Sequence, residues 1–397
     1  MKYTADITIC GAGIIGLTIA RELVARNAGN IVIMDKEPEL GAHASGRNSG
    51  VLHAGIYYDP GTLKARMCFE GNQRMRAYCR EKGLPLFESG KVVVARTEDE
   101  LPTLEELKRR ADANGAKVEL IDETQLAELE PNARTVGKAL HSPFTAVVDP
   151  KAVLTSLRHD LERSGKVRFF FNTRFLERTA SGVRTNRGDI DCGLFINAAG
   201  TYSDRVAQAF GVGMNLRMIP FKGIYRILKK PAADKIRGSI YPVPNIRNPF
   251  LGVHFTRSVY GDVYVGPTAI PAFGRENYGI LHGLDGEMFS ILLRDASLFL
   301  VNPKFRGVAL EEPRKYIAKY FYRDAAKLVK HLAPRDILPC AKAGIRPQLI
   351  NLDTSEMIMD FMVEKGPNSV HVLNAVSPAF TSSMTFAEMV VSDFVTI

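Results

Sequence analysis

Three glycines spaced G-x-G-x-x-G, at Gly11, Gly13 and Gly16, followed by an acid at Asp35, form the first pattern in this chain that implies chemistry. Gly11 allows a tight turn after a strand, Gly13 lets the backbone approach a pyrophosphate, and Gly16 lets the helix lie close to the sheet. The N–H groups that open the helix face the phosphates, and a carboxylate at Asp35 is placed to take ribose hydroxyls. The segment 36–62, KEPELGAHASGRNSGVLHAGIYYDPGT, gathers His43, Arg47, His53, Tyr57 and Tyr58 among glycines, where backbone can run against a ligand. A second turn of small residues, Asn197-Ala198-Ala199-Gly200, follows an apolar strand at 194–196. It is read either as a second approach to the same nucleotide or as a packing turn. Hydroxyls crowd 381–385, where free N–H groups of a last helix would point at the nucleotide.

Other chemistries lack their residues. There is no H-E-x-x-H and no convergent Cys/His spacing, so no metal is expected. No G-x-S-x-G elbow frames a hydrolase. The five cysteines, Cys10, Cys68, Cys79, Cys192 and Cys340, are odd in number and without C-x-x-C spacing, which argues against a disulfide framework and for a reducing compartment. The nucleotide strand starts at once, so no signal peptide is expected, and no apolar run approaches the roughly 20 residues that span a bilayer. The formal charge of +9, from 52 basic and 43 acidic residues, suits acidic substrates or contact with an anionic membrane face. It is spread along the chain and does not mark a nucleic-acid site.

These residues need elements to hold them. Residues 1–35 read as β-α-β, 63–82 as a helix, 86–96 as a strand and 98–115 as a charged helix with a thin leucine stripe. Residues 118–130 read as a short strand and a short helix, with Thr124 or Asp122 as the cap. Pro150 opens a helix capped by Asp149. Val167–Asn172 is a strand and 183–190 a hairpin. Residues 215–270 alternate as antiparallel strands. Residues 276–333 are mostly helical, with apolar faces expected in the core. A hairpin at about 356–375 and a final helix close the chain. With 397 residues, two interleaved domains are expected. The fold class is α/β, as an α+β two-domain chain with a Rossmann-like FAD/NAD(P)-binding domain interleaved with an antiparallel β-sheet substrate domain. The expected boundaries are 1–85, 148–215 and 335–397 for the nucleotide domain, and 86–147 and 216–334 for the substrate domain.

The first unit alone does not separate FAD from NAD. Across nearly its whole length the chain resembles the flavin-dependent amine and hydroxy-acid oxidoreductases of the D-amino-acid oxidase and glycerol-3-phosphate dehydrogenase superfamily, and within it the L-2-hydroxyglutarate-oxidising branch. The resemblance rests on GAGIIG at 11–16, RNSGVLHAGIYYDPGTLKA at 47–65, PFKGIYR at 220–226, PFLGVHFTR at 249–257, VGPTAI at 265–270, KAGIRPQ at 342–348 and SPAFTSS at 377–383. It implies FAD, held by Gly11, Gly13, Ile14, Ile15, Gly16, Asp35, Lys36, Ser45, Arg47, Asn48, Ser49, Gly50, Val51, Ala199, Gly200, Gly344, Pro378, Ala379, Thr381 and Ser382. It implies an L-2-hydroxy acid oxidised to a 2-oxo acid by hydride transfer from C2 to flavin N5, with L-2-hydroxyglutarate giving 2-oxoglutarate. Such a reaction needs a bidentate cation for the substrate carboxylate, for which Arg346 is the candidate. A second carboxylate would need Lys222, Arg257 or the hydroxyls of Tyr57, Tyr58 and Tyr225. Lys222 stands where the family often has arginine, so the charge is kept and the fork is lost. The hydroxyl proton needs a base near neutral pKa: His53 first, with His254 as hydrogen-bond donor or alternate base. His53 or His43 are also candidates for touching or attaching flavin. A glycine- or sarcosine-type amine oxidase, or a non-catalytic flavoprotein, would share this fold. Oxygen, a quinone or an electron-transfer flavoprotein are the acceptors to consider, and a cytoplasmic protein, peripheral on the membrane's inner face, is expected.

Overall fold

The computed structural model describes residues 2–244, 251–280, 282–284 and 286–396, less the side chain of Lys304. Pro249 and Phe250 of the PFLGVHFTR motif therefore lie outside the described residues. The chain divides into two units, each discontinuous: Met1–Asn48, Pro150–Pro220 and Arg346–Ile397, and Ser49–Asp149 with Phe221–Ile345. The architecture is the mixed α/β one expected. Residues 49–85 cluster with the second unit, where buried Asn72 of the helix Leu63–Glu81 donates to the carbonyls of Leu52 and Phe144 at 3.0 and 3.1 Å.

In the first unit, β1 (Lys2–Cys10), α1 (Ile14–Ala25) and β2 (Ile31–Met34) form the β-α-β. β1 lies between Gly188–Asn197 and β2 and runs parallel to both, with Val167–Phe170 parallel beyond β2. β2 is buried throughout, as continuous apolar strands of a covered parallel sheet are. The first half of Gly188–Asn197 pairs antiparallel with Gly182–Thr185, and its second half runs parallel to Ser369–Asn374. That last strand forms a hairpin with Met362–Gly366. α1 packs against the terminal helix Ala379–Phe394 and the helix Pro150–Arg163.

The second unit is built on a largely antiparallel sheet. Its order runs Ile337–Asn351, Leu216–Leu228, Val263–Val265, Phe255–Arg257, Ser239–Pro242, Lys91–Val94, Lys138–Ser142, Glu119–Asp122. One pair, Ser239–Pro242 with Lys91–Val94, is parallel. Asp122 caps the next helix, accepting from Gln125 N at 2.8 Å in a reciprocal capping box.

The helices of 288–326 depart from expectation. Met288–Val301 buries Ile291 and Leu298, while Phe289, Leu292, Leu293, Leu300 and Val301 face solvent. An apolar repeat in sequence states that a face is greasy; only the neighbours decide whether it is covered.

Candidate functional site

The first unit builds a nucleotide cradle out of close backbone approaches. Gly11 has φ +111°, and a Cβ there would sit 2.4 Å from the Ala198 carbonyl oxygen. A Cβ on Gly16 would sit 2.0 Å from the Gly11 carbonyl oxygen. No side chain fits at either place, so the two glycines are dictated by the packing of the turn, as the spacing implied. The Ala198 N–H donates to the Cys10 carbonyl at 2.9 Å and Ala199 N–H to Asn197 Oδ1 at 3.1 Å, which fixes the second small-residue turn beside the first.

Helix α1 begins at Ile14 with Gly13 as a cap that offers no side chain, so its leading N–H groups have no intrahelical acceptor. Ser45 Oγ accepts from Ile14 N–H at 3.0 Å. Asp35 follows the buried end of β2 and receives Ala12 N–H on Oδ2 at 2.8 Å and Glu37 N–H on Oδ1 at 2.9 Å. Two amides hold the carboxylate in one orientation while each oxygen keeps lone-pair capacity for a ribose hydroxyl. Lys36 is engaged with Glu37 and with His43 Nε2 at 2.9 Å, and the His43–Glu37 contact is 2.8 Å. Arg47 Nε donates to the Ala42 carbonyl at 2.5 Å, and Asn48 Nδ2 to that of Ser45 at 2.8 Å, so both brace the short helix Ala44–Arg47.

At the other end of the chain, Pro378 precedes the helix Ala379–Phe394, whose Thr381, Ser382 and Thr385 are buried. Ser382 Oγ is buried without a partner among the described residues. A buried hydroxyl left unsatisfied is costly, and this one suits a polar group of a bound cofactor. The cradle, the oriented acid and this orphan hydroxyl fit a dinucleotide such as FAD.

In the second unit the glycine-rich segment is pinned at several places. Val51–Leu52 pairs with Ala146–Val148, and Gly50 takes φ +76°. Ser49 Oγ lies 3.5 Å from Val51 N. The His53 carbonyl accepts from Asn72 Nδ2 at 3.2 Å and from Cys68 Sγ at 3.4 Å. Asn114 Nδ2 donates to the carbonyls of Gly55 and Tyr58, and Arg110 Nη1 to that of Tyr57. The loop's backbone is thus anchored from two helices, Leu63–Glu81 and Leu101–Ala113 with its cap Asn114.

His254 Nδ1 lies 2.8 Å from the Gly252 carbonyl, so Nδ1 carries the proton and Nε2 is the basic nitrogen. Its ring stacks on Tyr241 with centroids 3.8 Å apart. Around Tyr241 lies a cluster that the sequence did not reveal. Lys91 Nζ sits 4.5 Å from the Tyr57 ring and 4.8 Å from the Tyr241 ring, is buried, and has no hydrogen-bond partner among the described residues. Burial pushes its ammonium down to about 7. Burial also holds the Tyr57 hydroxyl well above its usual value. Lys342 Nζ lies 4.4 Å from the Tyr264 ring and 5.3 Å from the Tyr225 ring, and burial lowers it too. Tyr225 meets Tyr264 edge-on at 6.3 Å. Each amine lies against its own pair of tyrosine rings, and an anion beside either would favour its charged form.

The two cations named from sequence for a second carboxylate are committed elsewhere. Lys222 Nζ donates to Asn277 Oδ1 at 3.2 Å and the Gly279 carbonyl at 2.7 Å. Arg257 Nη1 donates to the carbonyls of Ala233 and Ile236 at 3.2 and 2.8 Å. Arg346 and Gly344 are half-buried in the strand Ile337–Asn351. Lys91 was missed because nothing in the strand read over 86–96 marks it apart; it opens the observed strand Lys91–Val94, and its burial follows from Ser142 and Ser239 flanking it in register.

Comparison with known proteins follows the same lines. The sequence profile described as DAO, FAD dependent oxidoreductase, matches residues 6–392. A mitochondrial L-2-hydroxyglutarate dehydrogenase of Bos taurus is 34% identical, over 98% of this chain and 88% of its own. The L-2-hydroxyglutarate dehydrogenase of Indibacter alkaliphilus is 35% identical, over 96% of each. Among solved structures, dithionite-reduced L-alpha-glycerophosphate oxidase from Mycoplasma pneumoniae with FAD bound superposes with a TM-score of 0.77 at 22% identity, covering 98% of this chain and 94% of that one.

Proposed function

Because this chain belongs to the FAD dependent oxidoreductase (DAO) family, we propose that it oxidises an L-2-hydroxy acid, L-2-hydroxyglutarate, to the 2-oxo acid, 2-oxoglutarate. The observation that carries this reading is the likeness, over 96–98% of the chain, to proteins of that name. Bound FAD supplies the acceptor for the hydride that leaves C2. Every other task falls to the chain. Gly11, Gly13, Gly16 and Asp35 hold the adenosine diphosphate half. His53 takes the hydroxyl proton, on a backbone that Asn72 fixes, and His254 supports the substrate through Nε2. Arg346 takes one carboxylate in its fork. Since Lys222 and Arg257 are held by backbone carbonyls, Lys91 and Lys342, each beside its own pair of tyrosine rings, are the candidates for the second.

The test is flavin bleaching under nitrogen, with L-2-hydroxyglutarate, glycine, sarcosine and glycerol 3-phosphate offered separately. Bleaching by L-2-hydroxyglutarate is expected; bleaching by an amine alone would replace this reading with amine oxidation. His53→Ala should slow reduction by about 10²-fold or more, and an unchanged rate would move the proton to His254 or solvent. Timed reoxidation with oxygen, a quinone and an electron-transfer flavoprotein identifies the acceptor. No helix among the described residues is long and apolar enough to cross a membrane. The +9 surplus supports peripheral contact with an anionic membrane face, here proposed for a cytoplasmic protein.

A further inference from the structure

The helix Met288–Val301 carries its apolar stripe outward. Phe289, Leu292, Leu293, Leu300 and Val301 are 68, 40, 74, 73 and 59% exposed, and positions 296 and 297, between them on the same face, are Ala296 and Ser297. These positions recur at the three- and four-residue steps that define one helical face. The inward line is thin: Ile291 and Leu298 are buried, with Arg294 and Asp295 half-buried beside them. Arg294 is turned to Glu287 and to the Ser290 carbonyl. The solvent face of this helix therefore presents no charge over its full length, the reverse of an ordinary surface helix. Apolar exposure continues along the chain at Leu310 and Ile317, 53 and 57% exposed. Scattered exposed leucines need no explanation, but a continuous stripe does.

We infer that this helix is a membrane-docking element, lying in the headgroup region of an anionic bilayer with Phe289, Leu293 and Leu300 in the acyl boundary. The inference rests on the peripheral contact proposed above and gives that contact a place. Charge selects the occupant. From 287 to 330 the sequence has nine Lys and Arg against five Asp and Glu, and the whole chain is +9. The stripe itself is uncharged, so the sign of the surrounding segment decides: its basic surplus complements the anionic headgroups that would border the stripe in a bilayer, and a second copy offers no such complement. The helix Met288–Val301 has 14 residues, too short to span, so it would lie in the interface.

The experiment is co-sedimentation of the flavin-loaded protein with vesicles of phosphatidylcholine alone and of phosphatidylcholine mixed with phosphatidylglycerol, beside analytical sedimentation without lipid. The variant is Leu293→Glu with Leu300→Glu; both sites are exposed, so flavin content and anaerobic bleaching should match the parent. The parent should bind the mixed vesicles and be weakened by salt, and the variant should lose about tenfold or more of that partitioning. Equal binding by parent and variant overturns the assignment of this helix while leaving peripheral contact intact. No binding to either vesicle overturns both. A parent that self-associates without lipid, and a variant that does not, makes the stripe a contact between copies and overturns the lipid assignment. None of these outcomes depends on which substrate bleaches the flavin.

Discussion

Lys91→Met should stabilise the protein near neutral pH while damaging its handling of a diacid. The folded-state value of Lys91 is about 7 against an ordinary 10.5. At about 1.4 kcal/mol per tenfold change in proton affinity, charging this amine costs the fold about 5 kcal/mol. Contact with the Tyr57 and Tyr241 rings returns about 2 kcal/mol to the charged form. Removing the amine while keeping an unbranched chain of similar length should therefore gain about 2–3 kcal/mol at pH 7. The direction with pH follows from proton counts. The folded value lies below the unfolded one, so between about 7 and 10.5 the unfolded chain binds more protons, and parental stability rises with pH through that window. Lys91→Met lacks this rise, so its advantage should shrink as pH goes from 7 to 10. Thermal melts of the flavin-loaded pair across that range measure it. In parallel, kcat/KM for L-2-hydroxyglutarate should fall by about 10²-fold, as for a lost charge-assisted contact of about 3 kcal/mol, while a 2-hydroxy monoacid is spared. A stability difference that does not change with pH, or a variant less stable at pH 7, would refute the buried-amine argument; equal losses on diacid and monoacid would refute the carboxylate assignment.

Three further outcomes are expected. Burial pushes the Asp295 carboxyl up to about 7, with both oxygens lacking partners among the described residues, so the folded form binds more protons than the unfolded one between the ordinary 3.8 and about 7. Stability from this group thus falls as pH rises through that window, and Asp295→Asn should raise the melting temperature at pH 8 but not at pH 4. Asn72→Ala removes the amide that donates to Leu52, His53 and Phe144 and should cost about 2–3 kcal/mol in denaturant unfolding. It should also slow anaerobic flavin reduction, and normal reduction would show that His53 does not depend on this anchor. Arg346→Ala should raise KM strongly and weaken 2-oxoglutarate binding followed by flavin absorbance; unchanged values would remove Arg346 from the substrate.

Much of the fold was legible in local pattern. The glycine spacing, the apolar β2 and Asp35 specify a strand–turn–helix–strand through contacts between near neighbours, and the structure closes that turn with approaches of 2.0 and 2.4 Å that only glycine permits. The segments at 47–65, 342–348 and 377–383 were read through a family resemblance, since no local rule assigns their residues a role. What sequence could not supply was the environment of a side chain after the chain had packed. Lys222 and Arg257 read as free cations because their acceptors, at 277–279 and 233–236, are distant in sequence. Lys91 was read only as part of the strand 86–96, because local pattern does not say whether both faces of a strand are covered; the flanking strands bury it and strip its water. Met288–Val301 shows the opposite case. Its sequence is apolar enough to be core, yet tertiary packing covers one line of it and leaves the other open. Sequence determined which residues carry charge, bend the backbone or shed water, because those are properties of the residues themselves. Tertiary structure decided which charges are paired and which apolar faces are covered, because burial belongs to the neighbours.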